Sequence, residues 1–294
     1  MPTLATTLRT FAAVLVPAYG PAEARALARR VIGHRLTLAP HELVLRSAED
    51  VPPAVEQQLT ADQHRLLAHE PVQYVLGTAP FLDLDLEVGP GVLIPRPETE
   101  ELVQYIIRRE ASATGAARRI LDVGTGSGCI AVALAHYLPG AAVVGLDVSE
   151  AALTIARRNG ARHGDSVQWL TADLFQETVG PADFGGLLDV LVSNPPYVPQ
   201  REAAALAPHV RDFEPALALF VPDAAPLRYY QRLAAVGRRW LRPGGRLYLE
   251  THTDYAAAVA DLLQQAGYHA ARPHDDFTAR PRFVTAEWPG ETTE

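Results

Sequence analysis

The sequence predicts an α/β protein whose doubly wound, mostly parallel sheet is preceded by an all-helical segment. Three observations lead to this prediction. Apolar runs of strand length alternate with helical patterns from Arg119 onward, a glycine-rich turn follows the first run, and the first 77 residues show helical spacing only. Strands that alternate with helices form parallel sheets with right-handed crossovers. We therefore expect a helical domain at 1–77, a β-hairpin linker at 78–97 and an α/β domain at 98–294.

The helical domain is predicted from apolar spacing and from proline positions. Leu4, Leu8, Phe11 and Leu15 recur at the spacing of one helix face. Each later helix begins at a proline, which the first turn of a helix tolerates: Pro21, Pro53 and Pro71. No motif for chemistry occurs in this domain, so we expect it to recognise a partner. A purely structural extension is the alternative.

Residues 78–97 show the pattern of a hairpin, and a helix follows them. Apolar residues alternate with acids between Phe81 and Val88, and Gly89-Pro90-Gly91 then turns the chain into Val92-Leu93-Ile94. The predicted helix begins with acidic residues and ends with arginines, an order that suits the helix dipole.

The α/β domain is predicted to alternate strands and helices to its end. The predicted strands occupy 120–123, 142–146, 167–170, 187–192, 246–250 and 283–288. The predicted helices between them occupy 129–138 and 151–163, and two more end at Trp240 and Gly267.

Composition excludes several classes of protein. Hydrophobic residues make up 48% and charged residues 20% of the chain, as in ordinary globular proteins. The single Cys129 excludes a disulfide framework and, with scattered histidines, a zinc cluster, so we expect no metal. The chain has no lysine, which excludes a Schiff-base or P-loop lysine. No apolar stretch approaches the roughly 20 residues of a membrane span. The net charge of −8 argues against nucleic-acid binding, and we expect a cytoplasmic monomer.

The glycine-rich turn Gly124-Thr125-Gly126-Ser127-Gly128 predicts a cofactor site at a helix N-terminus. Nicotinamide enzymes carry a related turn, but with the spacing Gly-x-Gly-x-x-Gly. Here the spacing is Gly-x-Gly-x-Gly. Asp122 also stands inside the preceding strand, where a carboxylate attracts a cation and repels a pyrophosphate.

Two further aspartates end the next two predicted strands. Asp147, about twenty residues after the turn, is placed to accept hydrogen bonds from both hydroxyls of a ribose. Asp173 is placed to reach an adenine amine. Each aspartate alone is compatible with a helix cap or a solvated turn, but their common position at strand ends favours a nucleoside. S-adenosylmethionine, with its ammonium and sulfonium charges, fits this pattern better than NAD.

The strand at 187–192 leads into Asn194-Pro195-Pro196-Tyr197. Two prolines cannot extend a strand ladder, so the chain leaves in a stiff turn at the carboxyl edge, where open α/β sheets bind ligands. The Asn194 oxygen and the Pro195 carbonyl can both accept hydrogen bonds from a planar NH2 group. They would orient its lone pair towards an electrophile while Tyr197 stacks on its face. A simple strand-terminating turn is the alternative.

These motifs together resemble class I (Rossmann-like) methyltransferases that act on a planar nitrogen. Three further segments narrow the resemblance to the protein-(glutamine-N5) methyltransferases of the PrmC/HemK family: Glu70-Pro-Val-Gln-Tyr-Val-Leu-Gly77, Leu93-Ile-Pro-Arg-Pro-Glu-Thr-Glu100 and Val210-Arg-Asp-Phe-Glu-Pro215. The resemblance covers nearly the whole chain. It implies a mostly parallel sheet with an antiparallel edge strand, and methylation of the Gly-Gly-Gln glutamine of peptide chain release factors. S-adenosylhomocysteine would be the product of the cofactor.

The resemblance also implies three groups of site residues. The residues that contact the cofactor would be Gly124, Thr125, Gly126, Ser127, Gly128, Asp147, Leu174 and Asn194. The target glutamine would contact Asn194, Pro195, Pro196 and Tyr197, and the same cleft would be lined by Arg96, Pro97, Glu98 and Thr99. The chain departs from the family pattern at Leu174, where some relatives have tryptophan. It departs again after Glu250, where relatives often have a glycine.

Other functions stay open at this point. Within the class, the acceptor would be a glutamine of a ribosomal protein or an amino group of adenine or guanine in nucleic acid. The acidic balance disfavours nucleic acid. A nicotinamide oxidoreductase would have to tolerate a pyrophosphate beside Asp122. A non-catalytic adaptor would have no use for the Asn-Pro-Pro-Tyr turn.

Overall fold

The computed structural model describes residues 1–111, 118–164, 166–176 and 178–290. The chain forms two compact units. The first comprises Met1–Thr78 with Ala207–Phe213, and the second comprises Ala79–Leu206 with Glu214–Glu294. Within the described residues the helices are α1 Leu4–Leu36, α2 Pro40–Leu45, α3 Pro53–Leu67, α4 Val72–Leu76, α5 Pro97–Ala111, α6 Cys129–Tyr137, α7 Glu150–His163, α8 Pro208–Arg211, α9 Ala216–Leu219, α10 Arg228–Trp240 and α11 Ala256–Gln265. The strands are β1 Thr78–Phe81, β2 Leu84–Glu87, β3 Arg119–Val123, β4 Ala142–Asp147, β5 Val167–Thr171, β6 Leu188–Ser193, β7 Val198–Pro199, β8 Phe220–Val221, β9 Leu241–Glu250, β10 His269–Asp275 and β11 Pro281–Trp288.

The first unit is built on α1, which packs against α2, α3 and α4. Helix α1 is broken at Gly20, whose φ of 72° is not helical, directly before the proline that the sequence predicts to begin a new helix. Two arginines tie the unit together. Arg35 makes a bidentate ion pair with the buried Asp62 of α3, at 2.8 Å for both hydrogen bonds. Arg35 and Arg65 also both donate to the Val75 carbonyl, which satisfies a backbone acceptor in α4.

The second unit contains a seven-stranded sheet in the order β10-β11-β9-β6-β3-β4-β5. Strands β9, β6, β3, β4 and β5 are parallel to their neighbours in this series. Strand β11 runs antiparallel to both β9 and β10. The predicted α/β class and mostly parallel sheet are confirmed. The antiparallel strand, however, lies one place in from the edge, because the chain adds β10 outside it. Strand β10 is polar and mostly exposed, so it carries no apolar pattern that would predict it.

The strand order reverses at β3, and this reversal positions the site. The chain runs outward from β3 through β4 to β5, then returns to the other side of β3 with β6. The carboxyl ends of β3, β4 and β6 therefore meet at a topological switch point, where doubly wound sheets bind ligands.

The segment before α5 differs from the sequence prediction. Strands β1 and β2 form a two-stranded sheet whose turn lies at Leu82 and Asp83, and Leu82 adopts a left-handed φ of 55°. The predicted turn at 89–91 is therefore not the hairpin turn, and 92–94 form no strand. The backbone N–H of Ile94 is satisfied instead by the carboxylate of Glu214, at 3.0 Å.

Three glycines close around the ring of Trp169 on β5 and fix the glycine-rich turn against the sheet. A Cβ on Gly145 would lie 2.5 Å from this ring, one on Gly128 2.9 Å and one on Gly160 3.2 Å. These distances leave no room for a side chain unless the indole moves.

Gly145→Ala should therefore reduce the free energy of unfolding by about 1–3 kcal/mol, the usual cost of overpacking a core. Urea denaturation measures this change. Gly180→Ala is the control, since that glycine has extended backbone and no atom within 4 Å of an added Cβ. Equal stability of the two variants would show that the Trp169 contact does not constrain the glycine turn.

Candidate active site

One cavity of about 510 Å³ lies where the carboxyl ends of β3, β4 and β6 meet. Its volume falls within the range of about 300–1,000 Å³ that is usual for small-molecule sites. The predicted site residues that line it are Arg96, Thr99, Gly124, Thr125, Gly126, Ser127, Asp147, Asp173, Leu174, Asn194, Pro195 and Pro196. Those outside its lining are Pro97, Glu98, Asp122, Gly128 and Tyr197. The cavity thus combines the glycine-rich turn with the Asn-Pro-Pro turn.

The glycine-rich turn depends on left-handed backbone. Gly124 and Gly126 have φ values of 72° and 56°, which residues with a Cβ rarely adopt. The N–H groups of Gly124 and Thr125 both donate to the Leu146 carbonyl at the end of β4, at 2.8 and 3.0 Å. The turn is therefore tied to the neighbouring strand and presents its backbone to the cavity.

Asp147 holds the turn from β4. Its Oδ2 accepts from the Gly126 N–H and its Oδ1 from the Ser149 N–H, both at 2.9 Å. Burial raises the pKa of this carboxyl, and the backbone hydrogen bonds oppose that rise. A carboxylate has about four acceptor positions, so it can still accept from a hydroxyl of a ligand. Asp147 is therefore suited both to shape the turn and to bind a ribose.

Asp122 lies behind the turn and is fully buried. Its Oδ2 accepts from the Thr125 hydroxyl at 2.6 Å, and the backbone N–H of Ala131 also stabilises the charged form of this carboxyl. Burial raises the pKa of Asp122 to about 7, and the hydrogen bond from Thr125 opposes the rise. When it is ionised, a buried carboxylate behind the cavity wall favours a cationic ligand, since such a ligand would compensate the buried charge.

The end of β5 contributes an aromatic surface that the sequence analysis missed. Asp173 is engaged locally, because its Oδ1 accepts from the Phe175 N–H at 2.9 Å. Phe175 and Tyr229 of α10 both line the cavity, with ring centroids 5.1 Å apart in an edge-to-face arrangement. The Arg228 guanidinium lies 4.4 Å from the Phe175 ring. A flat base could pack against these rings beside Leu174.

The Asn-Pro-Pro-Tyr turn presents only part of itself to the cavity. Ser193, just before it, donates from its hydroxyl to the Val123 carbonyl at 2.6 Å, which joins the ends of β6 and β3. Asn194, Pro195 and Pro196 line the cavity. The Tyr197 hydroxyl instead donates to Glu250 at 3.1 Å, and its ring lies edge-on to His252. The predicted stacking of Tyr197 on a target group stays a prediction.

Two of the motif segments are joined directly by an ion pair. Arg96 contacts the carboxylate of Glu214 at 2.6 Å, and Glu214 is almost fully buried. The second carboxylate oxygen of Glu214 holds the Ile94 backbone, as described above. Sequence analysis identified Arg96 but not its partner. Glu214 lies within 210–215, one of the segments that carry the family resemblance, so this segment was the signal that could have identified it.

The strand order is that of a Rossmann-like fold, and the family models that match the chain make its class a methyltransferase. Residues 100–210 match the methyltransferase small domain, and residues 7–77 match the PrmC N-terminal domain. Two solved structures share the fold. A methyltransferase from Pyrococcus furiosus has a TM-score of 0.51 and 18% identity, over 79% of this chain and all of that one. The Thermus thermophilus 16S rRNA N2 G1207 methyltransferase, in complex with AdoMet and guanosine, has a TM-score of 0.50 and 21% identity, over 71% of this chain and 49% of that one.

Relatives in sequence identify the family. A Bacteroides thetaiotaomicron protein named release factor glutamine methyltransferase is 39% identical over 91% of this chain and 94% of its own length. Proteins of the same name from Chlorobaculum tepidum and Cereibacter sphaeroides are 42% and 36% identical, over 82% and 92% of this chain and 83% and 94% of their own lengths. The chain belongs to the release factor glutamine methyltransferase family.

Proposed function

We propose that this enzyme transfers a methyl group from S-adenosylmethionine to the side-chain amide N5 of the Gly-Gly-Gln glutamine in peptide chain release factors. The observation that supports this most is the single cavity lined by both the glycine-rich turn and the Asn-Pro-Pro turn. A donor nucleoside and a planar acceptor amide would meet in it. The names of the relatives support the choice of release factors as substrate.

The cavity residues fit S-adenosylmethionine by their chemistry. Asp147 offers acceptor oxygens to the ribose, and Phe175 with Tyr229 offers the base an aromatic surface. The buried Asp122 compensates positive charge through the wall of the turn. When bound, S-adenosylmethionine supplies an electrophilic methyl group. Leu174 offers the base no aromatic ring. Phe175 and Tyr229, which line the cavity with it, would supply that aromatic contact instead.

The chain's own contribution to the reaction is orientation of the acceptor nitrogen. An amide nitrogen is a poor nucleophile because its lone pair is delocalised. Its two N–H groups would donate hydrogen bonds to the Asn194 oxygen and the Pro195 carbonyl. These hydrogen bonds would hold the lone pair towards the electrophile and stabilise the positive charge that develops on the nitrogen. No general base is required before attack, because the transfer leaves neutral S-adenosylhomocysteine and an N-protonated N-methylamide, and this cation is acidic enough to lose its extra proton to water.

Asp147→Ala should weaken the binding of S-adenosylmethionine by about 1–3 kcal/mol, the usual cost of leaving buried donors unpaired. Isothermal calorimetry measures the change. Asp261→Ala removes an exposed aspartate of α11 and is the matched control. Unchanged affinity in Asp147→Ala would remove this residue from the cofactor site. Tight binding of NADH by the wild type would contradict the cofactor assignment.

The helical unit is the part we assign to substrate recognition. One glutamine side chain offers too little surface to be distinguished from every other glutamine, so specificity requires a second contact surface. On the helical unit, Val44 and Leu45 of α2 are 71% and 79% exposed, more than its other large hydrophobics apart from Met1. Because they are neighbours on one short helix, they form an exposed apolar patch of the kind that marks protein interaction sites.

The double variant Val44→Ser, Leu45→Ser should raise KM for an intact release factor about tenfold and leave kcat near the wild-type value. The reason is that docking weakens while the cavity is untouched. A short Gly-Gly-Gln peptide, a poor substrate for the wild type, should show no further loss. Val14→Ser is the control, since Val14 is a less exposed apolar residue of the same unit. An unchanged KM for the intact protein would exclude this surface.

The substrate class is tested by incubating the purified enzyme with methyl-labelled S-adenosylmethionine and a cell extract. We expect the label on a protein of release-factor size. Label on a ribosomal protein or on RNA would replace the proposed substrate by one of the two alternatives.

Among the helices that the structure describes, none has both the length and the apolar character of a membrane span. A monomeric state stays a prediction.

A further inference from the structure

A chain of hydrogen bonds runs from the acceptor turn to a buried carboxylate. The Asn194 Nδ2 donates to the Thr99 hydroxyl oxygen at 3.2 Å. The Thr99 hydroxyl donates to Glu250 Oε2 at 2.7 Å. The second oxygen, Oε1, accepts from the Tyr197 hydroxyl at 3.1 Å. These hydrogen bonds connect four residues into one group: Thr99 of α5, Glu250 of β9, and Asn194 and Tyr197 of the turn after β6.

The two central members of this group are buried, whereas Asn194 and Tyr197 are partly exposed. Thr99 and Glu250 are each 1% exposed. The backbone of Glu250 is held as well, since its carbonyl accepts from the Tyr230 hydroxyl at 3.1 Å and it pairs with Phe283 of β11. Side chains held in this way cannot exchange partners with water, so the direction of each hydrogen bond is set by the chemistry of the group itself.

The carboxylate determines that direction. An ionised carboxylate only accepts hydrogen bonds, so the Thr99 proton must point to Glu250. The Thr99 oxygen can then only accept from Asn194, which must present its NH2 group to Thr99. The amide of Asn194 is asymmetric, so its Oδ1 is left for a donor in the cavity. With the amide flipped, the cavity would meet two N–H donors, which cannot accept from a substrate amide.

We propose that Glu250 and Thr99 are positioning residues that fix the side-chain amide of Asn194 with its oxygen available to the acceptor nitrogen. This inference rests on the proposed function for the identity of the acceptor. The orientation of Asn194 itself does not depend on it. In this role Thr99 acts through Asn194, and Glu250 acts through Thr99 and Tyr197.

The test compares Thr99→Val with Thr99→Ser. Valine has nearly the same shape but no hydroxyl, so the Asn194 amide loses its partner and both orientations become accessible. Serine keeps the hydroxyl, so Thr99→Ser should retain the orientation of Asn194 and most of the methyl-transfer activity. We expect kcat for methyl transfer to fall on the order of 100-fold in Thr99→Val, with KM and cofactor affinity within about threefold. In Thr99→Ser, kcat should stay within about fivefold of the wild type.

A second measurement does not require turnover. The chain contains two asparagines, Asn159 and Asn194, so labelling with 15N-asparagine gives two side-chain NH2 signals. Asn159 donates to the carbonyls of Glu87 and Ser127, and is an internal reference far along the chain from Thr99. In the wild type, both NH2 groups should be protected from hydrogen exchange. Thr99→Val should remove the protection of Asn194 alone.

The outcomes separate the two proposals. Loss of Asn194 protection together with a kcat that only serine rescues supports the positioning role. Wild-type kcat in Thr99→Val, or unchanged protection of Asn194, overturns it. If Thr99→Val fails to fold, Glu250→Leu is measured in its place, with the protection of Asn194 in the wild type as the reference. Wild-type kcat or unchanged protection in that variant likewise overturns the proposal. If the wild type protects Asn194 but does not methylate a release factor, the proposed function fails and the orientation of Asn194 stands.

Discussion

In Asn194→Ala, turnover should fall by about 10²–10³ or more, while the affinity for S-adenosylmethionine changes far less. The reason is that the Asn194 oxygen acts mainly on the nitrogen that becomes positively charged, and removal of one such aligned group costs that much in other enzymes. Single-turnover kinetics with saturating cofactor measures the chemical step, and calorimetry measures the binding of cofactor.

Asn194→Asp should fail as well. A carboxylate at this position has no NH2 group to donate to Thr99, and its charge would be desolvated beside the reacting nitrogen. Gly180→Ala, remote from the cavity lining, should keep the wild-type rate. A near-normal single-turnover rate in either Asn194 variant would show that the Asn-Pro-Pro-Tyr turn does not orient the acceptor.

The single-turnover rate should also fall below pH 7 by about tenfold per pH unit. Burial raises the pKa of Glu250 to about 7, against the lowering effect of the hydrogen bonds from Thr99 and Tyr197. The charge of Glu98 raises this pKa further and that of Arg282 lowers it. Protonated Glu250 can donate to Thr99, which frees the Thr99 proton and permits the wrong amide orientation of Asn194. Activity therefore requires the ionised carboxylate.

Stability should change with pH in the opposite direction. The pKa of Glu250 rises from an ordinary value of 4.5 in the unfolded chain to about 7 in the folded protein. Between these values the folded state binds more protons, so the free energy of unfolding falls as the pH rises through this window. Asp122 titrates in the same window. Glu250→Gln should therefore flatten the rate profile and reduce the slope of the stability profile, to which Asp122 and the other carboxyls with a raised pKa still contribute. An unchanged acidic limb of the rate in Glu250→Gln would contradict this role.

The sequence was sufficient for those parts of the fold that depend on local pattern. Gly124 and Gly126 adopt the left-handed backbone that their spacing suggests, and the apolar runs at 142–146 and 187–192 are strands. Each of these features is determined by a short stretch of neighbouring residues. The α/β class and the family could therefore be predicted before any coordinates.

Features that depend on residues far apart in sequence could not be predicted. Tyr229 meets Phe175 only because α10 packs beside the end of β5, and no local pattern marks either ring as part of a site. Glu214 resembles any acidic loop residue until it is seen paired with Arg96. The role proposed for Glu250 depends on the direction of hydrogen bonds across three elements, which no spacing of residues expresses.

The central claim is tested most directly by mapping the methyl group on a purified release factor. The enzyme and S-adenosylmethionine are incubated with the intact release factor, and the product is analysed by tandem mass spectrometry. A release factor in which alanine replaces the Gly-Gly-Gln glutamine is the control substrate. We predict one methyl group on the side-chain amide of that glutamine and none on the control. A release factor that remains unmodified while the enzyme binds S-adenosylmethionine, or a methyl group on any other residue, would contradict the proposed function.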